Sequence, residues 1–125
     1  MIKSNPEEFK KLETNPNESP FVMLNLLKFK SPGGAAAYNR YTKEASVFLK
    51  KVGGKVLYMG KANEMLNGEE RWDFVLLVQY PSRKAFIQMI NNPDYLKTHE
   101  LRVEGTERAV LYVTDPVKIK DSAGK

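Results

Sequence analysis

Three polar side chains sit where the surrounding pattern is apolar, and each could do chemistry. Asn25 is the one polar residue on its side of the run FVMLNLLKF, among Phe21, Met23, Leu27 and Phe29. A buried amide without partners costs about 1–3 kcal/mol, so something must satisfy it. As a ligand contact it could hydrogen-bond an oxygen on which negative charge develops; otherwise it pairs with backbone or a neighbouring tyrosine. His99 is the single histidine of the chain and lies in DYLKTHELRVEG between Tyr95 and Arg102. Spacings of four and three project Tyr95, His99 and Arg102 from one side of a helix. An imidazole that titrates near neutrality, an aromatic wall and a cation for an anionic substrate would together make a proton-transfer site. The competing reading is a solvent-facing helix in which Glu100 or Glu104 pairs with Arg102. Leu96 and Val103 occupy the adjacent stripe, so the polar trio is expected to border the buried face.

An aromatic supply surrounds these candidates. Tyr38, Tyr41, Tyr58, Trp72, Tyr80 and Tyr112 are available for the core, for a seam between subunits, or for a cavity that takes a planar ligand. For the last use the candidate ligand-binding set is Tyr41, Tyr58, Trp72, Tyr80, Met89 and Tyr95. Other chemistries are set aside. One histidine and no cysteine cannot make the usual zinc sites, and thiolate catalysis and disulfides are excluded. Glu64, Glu69, Glu70 and Asp73 read as solvated acids of a connection. No GxSxG elbow is present, and the pairs Gly33–Gly34 and Gly53–Gly54 lack phosphate-loop spacing. The reading calls for no metal and no cofactor.

Charge and hydropathy restrict the partners. The chain carries 20 basic and 15 acidic residues, formally +5, but the lysines are scattered rather than gathered on one face. No nucleic-acid partner is expected. No apolar run reaches the roughly 18 residues of a membrane span, and MIKSNPEEFKK is polar where a signal peptide would be apolar. A soluble, cytoplasmic protein is the expectation.

The positioning elements follow from periodicity. NPEEFKKLET has Pro6 inside a helix start and acids in the first turn. FVMLNLLKF reads as a strand with both faces mainly apolar, hence covered on both sides. From Ala35 to Val52, Tyr38, Tyr41, Ala45, Phe48 and Val52 recur on one helical face, and Gly53–Gly54 stops the helix. KVLYMGKA and RWDFVLLVQY read as strands joined by the polar NEMLNGEE. Ser82 caps a short helix with Phe86, Met89 and Ile90 inward, Asn92–Pro93 breaks it, a further helix follows, and RAVLYVT is the last strand. The expected division is an N-terminal helix and linker over 1–19, a domain over 20–115 and a polar tail over 116–125.

Strand, helix, strand, strand, helix, strand is the ferredoxin-like β-α-β-β-α-β order. The fold class is therefore α+β, a four-stranded antiparallel sheet with right-handed crossovers placing the helices on one face. The other face is also apolar, too large a patch for a monomer. A homodimer through that sheet face is expected; segment Asn5–Thr14 is the alternative cover within the chain.

From Pro20 to Asp115 the chain resembles the dimeric α/β-barrel family known as domain of unknown function 1330. The resemblance lies in NLLKF, GGAAAYNRYTKEA, GGKVLYMG, RWDFVLLVQYPSRKAF and NNPDYL, and it implies the same fold and dimer. More distantly, the chain is similar to cofactor-free antibiotic-biosynthesis-type monooxygenases. These carry an asparagine on the first strand, matched by Asn25, and a histidine on the second helical region, matched by His99. Met89 stands where they carry a tryptophan that helps distort haem, so what carries over is a small-molecule pocket. The functional expectation is a homodimeric binder of a small aromatic or carbonyl compound, acting on it as a cofactor-free oxygenase or isomerase. Asn25 would polarise an oxygen, His99 would move a proton and Arg102 would hold an anionic group. The alternative is a non-catalytic metabolite-binding or dimerisation module.

Overall fold

A computed structural model describes residues 2–118; residues 119–125 of the expected polar tail lie outside the described residues. The order is α1 (Pro6–Thr14), β1 (Phe21–Phe29), α2 (Gly34–Lys51), β2 (Lys55–Lys61), β3 (Phe74–Tyr80), α3 (Arg83–Ile90), α4 (Pro93–Gly105) and β4 (Thr106–Thr114). The four strands form one antiparallel sheet in the order β2-β3-β1-β4. This is the ferredoxin-like fold.

The two sides of the sheet alternate along β1. Phe21, Met23, Asn25 and Leu27 are buried beneath the helices, while Val22, Leu24 and Leu26 look to the other side and are only half-covered. In register, Leu76 and Val78 of β3 share the helix side with Asn25 and Met23, and Leu77 shares the open side with Leu24. Tyr112 of β4 also pairs with Leu24 and is 65% exposed.

Local chemistry sets the element ends. Ser82 caps α3 by accepting a hydrogen bond from Ala85 N at 3.0 Å. Asn92 caps α4 by accepting from Asp94 N at 2.9 Å, with Pro93 in the first helical turn. Gly53 takes φ 81°, the left-handed position that ends α2. β3 begins at Phe74 rather than Arg71. Asp73, just before it, still donates its backbone N–H to Leu27 O at 2.7 Å and accepts from Ala62 N at 3.0 Å, while its carboxylate accepts from Phe29 N at 2.8 Å and pairs with Lys28 at 3.5 Å.

Helix α1 does not cover the open sheet face. It packs against α3 with Leu12 buried in the core, and the linker after it is pinned beside the start of α3. Arg83 of α3, 4% exposed, donates to Asp115 at 3.1 and 3.0 Å and to Asn17 O at 3.4 Å. Glu18 accepts from Lys84 N at 3.1 Å. Helices α2 and α4 touch backbone to backbone, since a Cβ built on Gly105 would lie 2.5 Å from Gly34 O.

Candidate functional site

Between the sheet and the helices lies a cavity of about 490 Å³. Its floor is Met23 and Asn25 of β1, Leu76, Val78 and Tyr80 of β3, Val56 and Met59 of β2, and Leu111 of β4. Tyr38, Tyr41, Ala45 and Leu49 of α2 form one wall, and Tyr95, His99 and Arg102 of α4 form another. Phe86, Met89 and Ile90 of α3 and Phe9 of α1 complete it. The lining is apolar and aromatic with a few convergent polar groups, the ordinary make-up of a small-molecule site.

Asn25 lies at the centre of the floor. Its Nδ2 donates to Met23 O and to Leu76 O, both at 3.4 Å. Spending the amide hydrogens on backbone orients the group and leaves Oδ1 without a donor among the described residues, so the amide offers the cavity an acceptor. Both bonds are long, at the weak end of the range.

Helix α4 presents its polar residues inward. Tyr95 and Arg102 are buried, whereas Leu96 and Val103 are 49% and 45% exposed. Of the trio expected to border the buried face, Tyr95 and Arg102 lie within it and half-buried His99 borders it, while Leu96 sits at the rim of the cavity. Arg102 is 6% exposed and forms no ion pair among the described residues; its Nη2 has no hydrogen-bond partner. Neither Glu100 nor Glu104 pairs with it. An unpaired buried charge ordinarily costs about 3–5 kcal/mol.

Four tyrosine hydroxyls feel the charge of this cation. Tyr41 Oη and Tyr95 Oη are 2.7 Å apart, and Tyr38, tilted against the Tyr41 ring at 5.4 Å, has a buried hydroxyl with no partner among the described residues. Arg102 lies near enough to Tyr38 for its charge to be felt, but no well-formed hydrogen bond joins them. Burial pushes the hydroxyls of Tyr38, Tyr41, Tyr80 and Tyr95 well above the usual phenol range, against a smaller opposing pull from Arg102. His99 stacks obliquely 5.9 Å from Tyr95, and its Nδ1 is buried without a partner among the described residues. Burial, reinforced by the charge of Arg102, lowers the imidazole below its ordinary 6.5. At neutral pH His99 is therefore uncharged.

The cavity thus brings together Asn25, His99, Arg102, Tyr41, Tyr80, Met89 and Tyr95. It does not include Tyr58 or Trp72. Tyr58 pairs with Leu77 on the open face, because a bulge in β2 between Val56 and Tyr58 shifts the alternation by one residue. Trp72 lies before β3 with the Arg108 guanidinium 4.6 Å above its ring, and Arg108 in turn binds Glu70 at 3.0 Å and Arg71 O at 2.9 Å. Apart from Met89, the apolar lining was not among the candidates, nor were two aromatic contributors: Tyr38, whose inward helical position was the available signal, and Phe9, which no local pattern ties to the cavity. Among the described residues no group of three or more His, Cys, Asp and Glu could hold a metal ion, and no helix is long and apolar enough to cross a membrane.

Comparison with known proteins agrees with this architecture. The model of the family described as "Domain of unknown function (DUF1330)" matches residues 21–116. The crystal structure of RPA0582, a protein of unknown function from Rhodopseudomonas palustris, is 33% identical, covers 94% of this chain and 98% of its own, and superposes with a TM-score of 0.86. SnoaB, a cofactor-independent oxygenase from Streptomyces nogalater, is 10% identical over 83% of this chain and 99% of its own, with a TM-score of 0.61. A dimeric protein of unknown function and ferredoxin-like fold from Bacteroides fragilis is 13% identical over 78% and 96%, with a TM-score of 0.54. At those identities the last two share the fold alone. No curated protein matches the chain.

Proposed function

The chain belongs to the DUF1330 family, whose description names no activity, and from that premise we propose a homodimeric small-molecule-binding protein that moves a proton within one cavity per subunit. The observation that carries this reading is the convergence of Asn25 Oδ1, the uncharged His99 and the unpaired Arg102 on an aromatic chamber of about 490 Å³. The size suits a small aromatic or carbonyl compound. Asn25 accepts from a hydroxyl of that compound and fixes its orientation. His99 takes a proton from an acidified C–H or O–H, becoming imidazolium while the bond's electron pair stays on the ligand as enolate or phenolate. In an isomerase the imidazolium returns the proton to a different carbon; in a cofactor-free oxygenase the electron-rich ligand reduces dioxygen directly. SnoaB, described as a cofactor-independent oxygenase, shares the fold and makes the second course worth testing.

The dimer belongs to the same proposal. Val22, Leu24, Leu26, Leu77 and Tyr112 form an apolar open face that no element of the described chain covers. A second copy packed sheet to sheet buries it, and a neighbour of the same fold is described as dimeric.

A second reading, a binder that performs no reaction, draws on one observation: His99 Nδ1 has no acceptor to fix its tautomer. One experiment separates the two. Tetralone, a neutral enolisable aromatic ketone, is incubated in heavy water and its α-proton exchange followed by NMR. The expected result is faster exchange with the protein, abolished by His99→Gln and by the cavity-filling Met89→Trp. Binding without accelerated exchange selects the non-catalytic reading. Binding that Met89→Trp leaves unchanged removes the cavity from consideration.

A further inference from the structure

Resting on the cavity reading above, we infer that the natural ligand is a monoanion, an aromatic compound bearing one ionised oxygen group such as a carboxylate, and that this group pairs with Arg102. The reasoning is a charge balance over the cavity walls. Arg102 is 6% exposed, has no acid partner among the described residues, and keeps Nη2 unbonded. The groups that feel its charge are Tyr38, whose hydroxyl is equally unpartnered among the described residues, Tyr41, Tyr80, Tyr95 and His99. None of these can supply a compensating negative charge at neutral pH. Glu44 of α2, which accepts from Thr98 of α4 at 3.5 Å, is exposed.

A guanidinium is kept charged wherever it is placed and is built to meet two oxygens of a carboxylate at once. Left alone in an apolar chamber it is costly, and the fold offers nothing to offset it. An incoming monoanion supplies what is missing: two acceptor oxygens for the guanidinium, and one of them also for the Tyr38 hydroxyl. Asn25 works with the opposite polarity, offering an acceptor from the floor. The cavity therefore takes a ligand with an anionic group toward Arg102, an aromatic body among Tyr41, Tyr80 and Met89, and a hydrogen-bond donor toward Asn25. Lys43, the other cation lining the cavity, is exposed at its rim, so a second anionic group held deep beside Arg102 would be left unpaired in the same apolar walls.

Naphthoate and naphthamide, which share shape and differ in charge, test this by calorimetric titration of the intact protein. Naphthoate should bind at least about tenfold more tightly, as a charge-assisted pair against a neutral one. Arg102→Met should remove that preference while leaving naphthamide affinity unchanged, and Lys43→Gln, at the exposed rim, should preserve it. Naphthalene dicarboxylate should bind more weakly than naphthoate. Equal wild-type affinities for naphthoate and naphthamide overturn the monoanion inference and leave the cavity reading intact, as does a preference that Lys43→Gln removes and Arg102→Met does not. Tighter binding of the dicarboxylate overturns the single-charge balance. Should Arg102→Met fail to fold, Arg102→Gln and the wild-type comparison of the three probes decide the matter. If neither naphthoate nor naphthamide binds, and tetralone does not either, the cavity reading itself falls.

Discussion

At residue scale the useful fact about Asn25 is which end of its amide is free. With both Nδ2 bonds spent on Met23 O and Leu76 O, it serves a ligand as an acceptor and not as the oxyanion donor its position on β1 first suggests. Asn25→Leu should abolish binding of a phenol such as naphthol, while urea denaturation shows stability unchanged within about 1 kcal/mol, because an apolar isostere removes the amide's desolvation cost along with its weak bonds. His99 gives a pH prediction. Its folded value lies below the unfolded 6.5, so the unfolded chain binds the proton first on acidification. Its contribution to stability is full above about pH 6.5 and declines as pH falls below that. His99→Gln should flatten this part of the stability–pH curve measured by denaturation. Asn25, His99 and Arg102 were legible because each is a polar residue at a spacing that the fold turns inward. Tyr58 was misplaced because strict alternation cannot anticipate a bulge one residue before it, and Trp72 because an Arg108 more than thirty positions away claims its ring.

Element by element, the crossing of α2 and α4 decides where the cavity walls stand. Gly34 and Gly105 meet with their backbones in contact, and from that point α2 carries Tyr38 and Tyr41 alongside Arg102, His99 and Tyr95 of α4. Gly105→Ala places a methyl group against Gly34 O and the Ala37 side chain, neither of which can rotate away. A loss of about 1–3 kcal/mol, measured by chemical denaturation, is expected from overpacking of this kind. Most elements were readable in advance: the alternation of β1, the inward stripe of α2, the cap at Ser82 and the break at Asn92–Pro93 are all local signals. The start of β3 was not, since the Asp73 carboxylate binds Phe29 N, a partner 44 positions away that no local pattern announces. Nor was the docking of α1, whose place depends on Arg83 joining the linker to Asp115 at the far end of β4.

For the whole molecule, the open sheet face is the feature that most needs a partner. Leu24 lies near its middle, between Leu77 of β3 and Tyr112 of β4. Sedimentation at micromolar concentration should give about twice the 14.3 kDa chain mass. Leu24→Glu should return the single-chain mass with the helical circular dichroism retained, because a carboxylate cannot be buried there unpaired. A wild-type protein that sediments as a single chain removes the dimer from the proposal.

The chamber between sheet and helices also makes this protein a sensor of its own occupant. A globular domain is usually filled to crystal density, and here a space of about 490 Å³ is left for something else to fill. Whatever fills it becomes part of the core while bound, and melting must expel it. A compound at a hundredfold excess over its dissociation constant adds about 2.7 kcal/mol to the folded state. Thermal melting against a library of small acids should therefore rank candidates without any assay for a reaction, the largest upward shift marking the compound that best completes the interior.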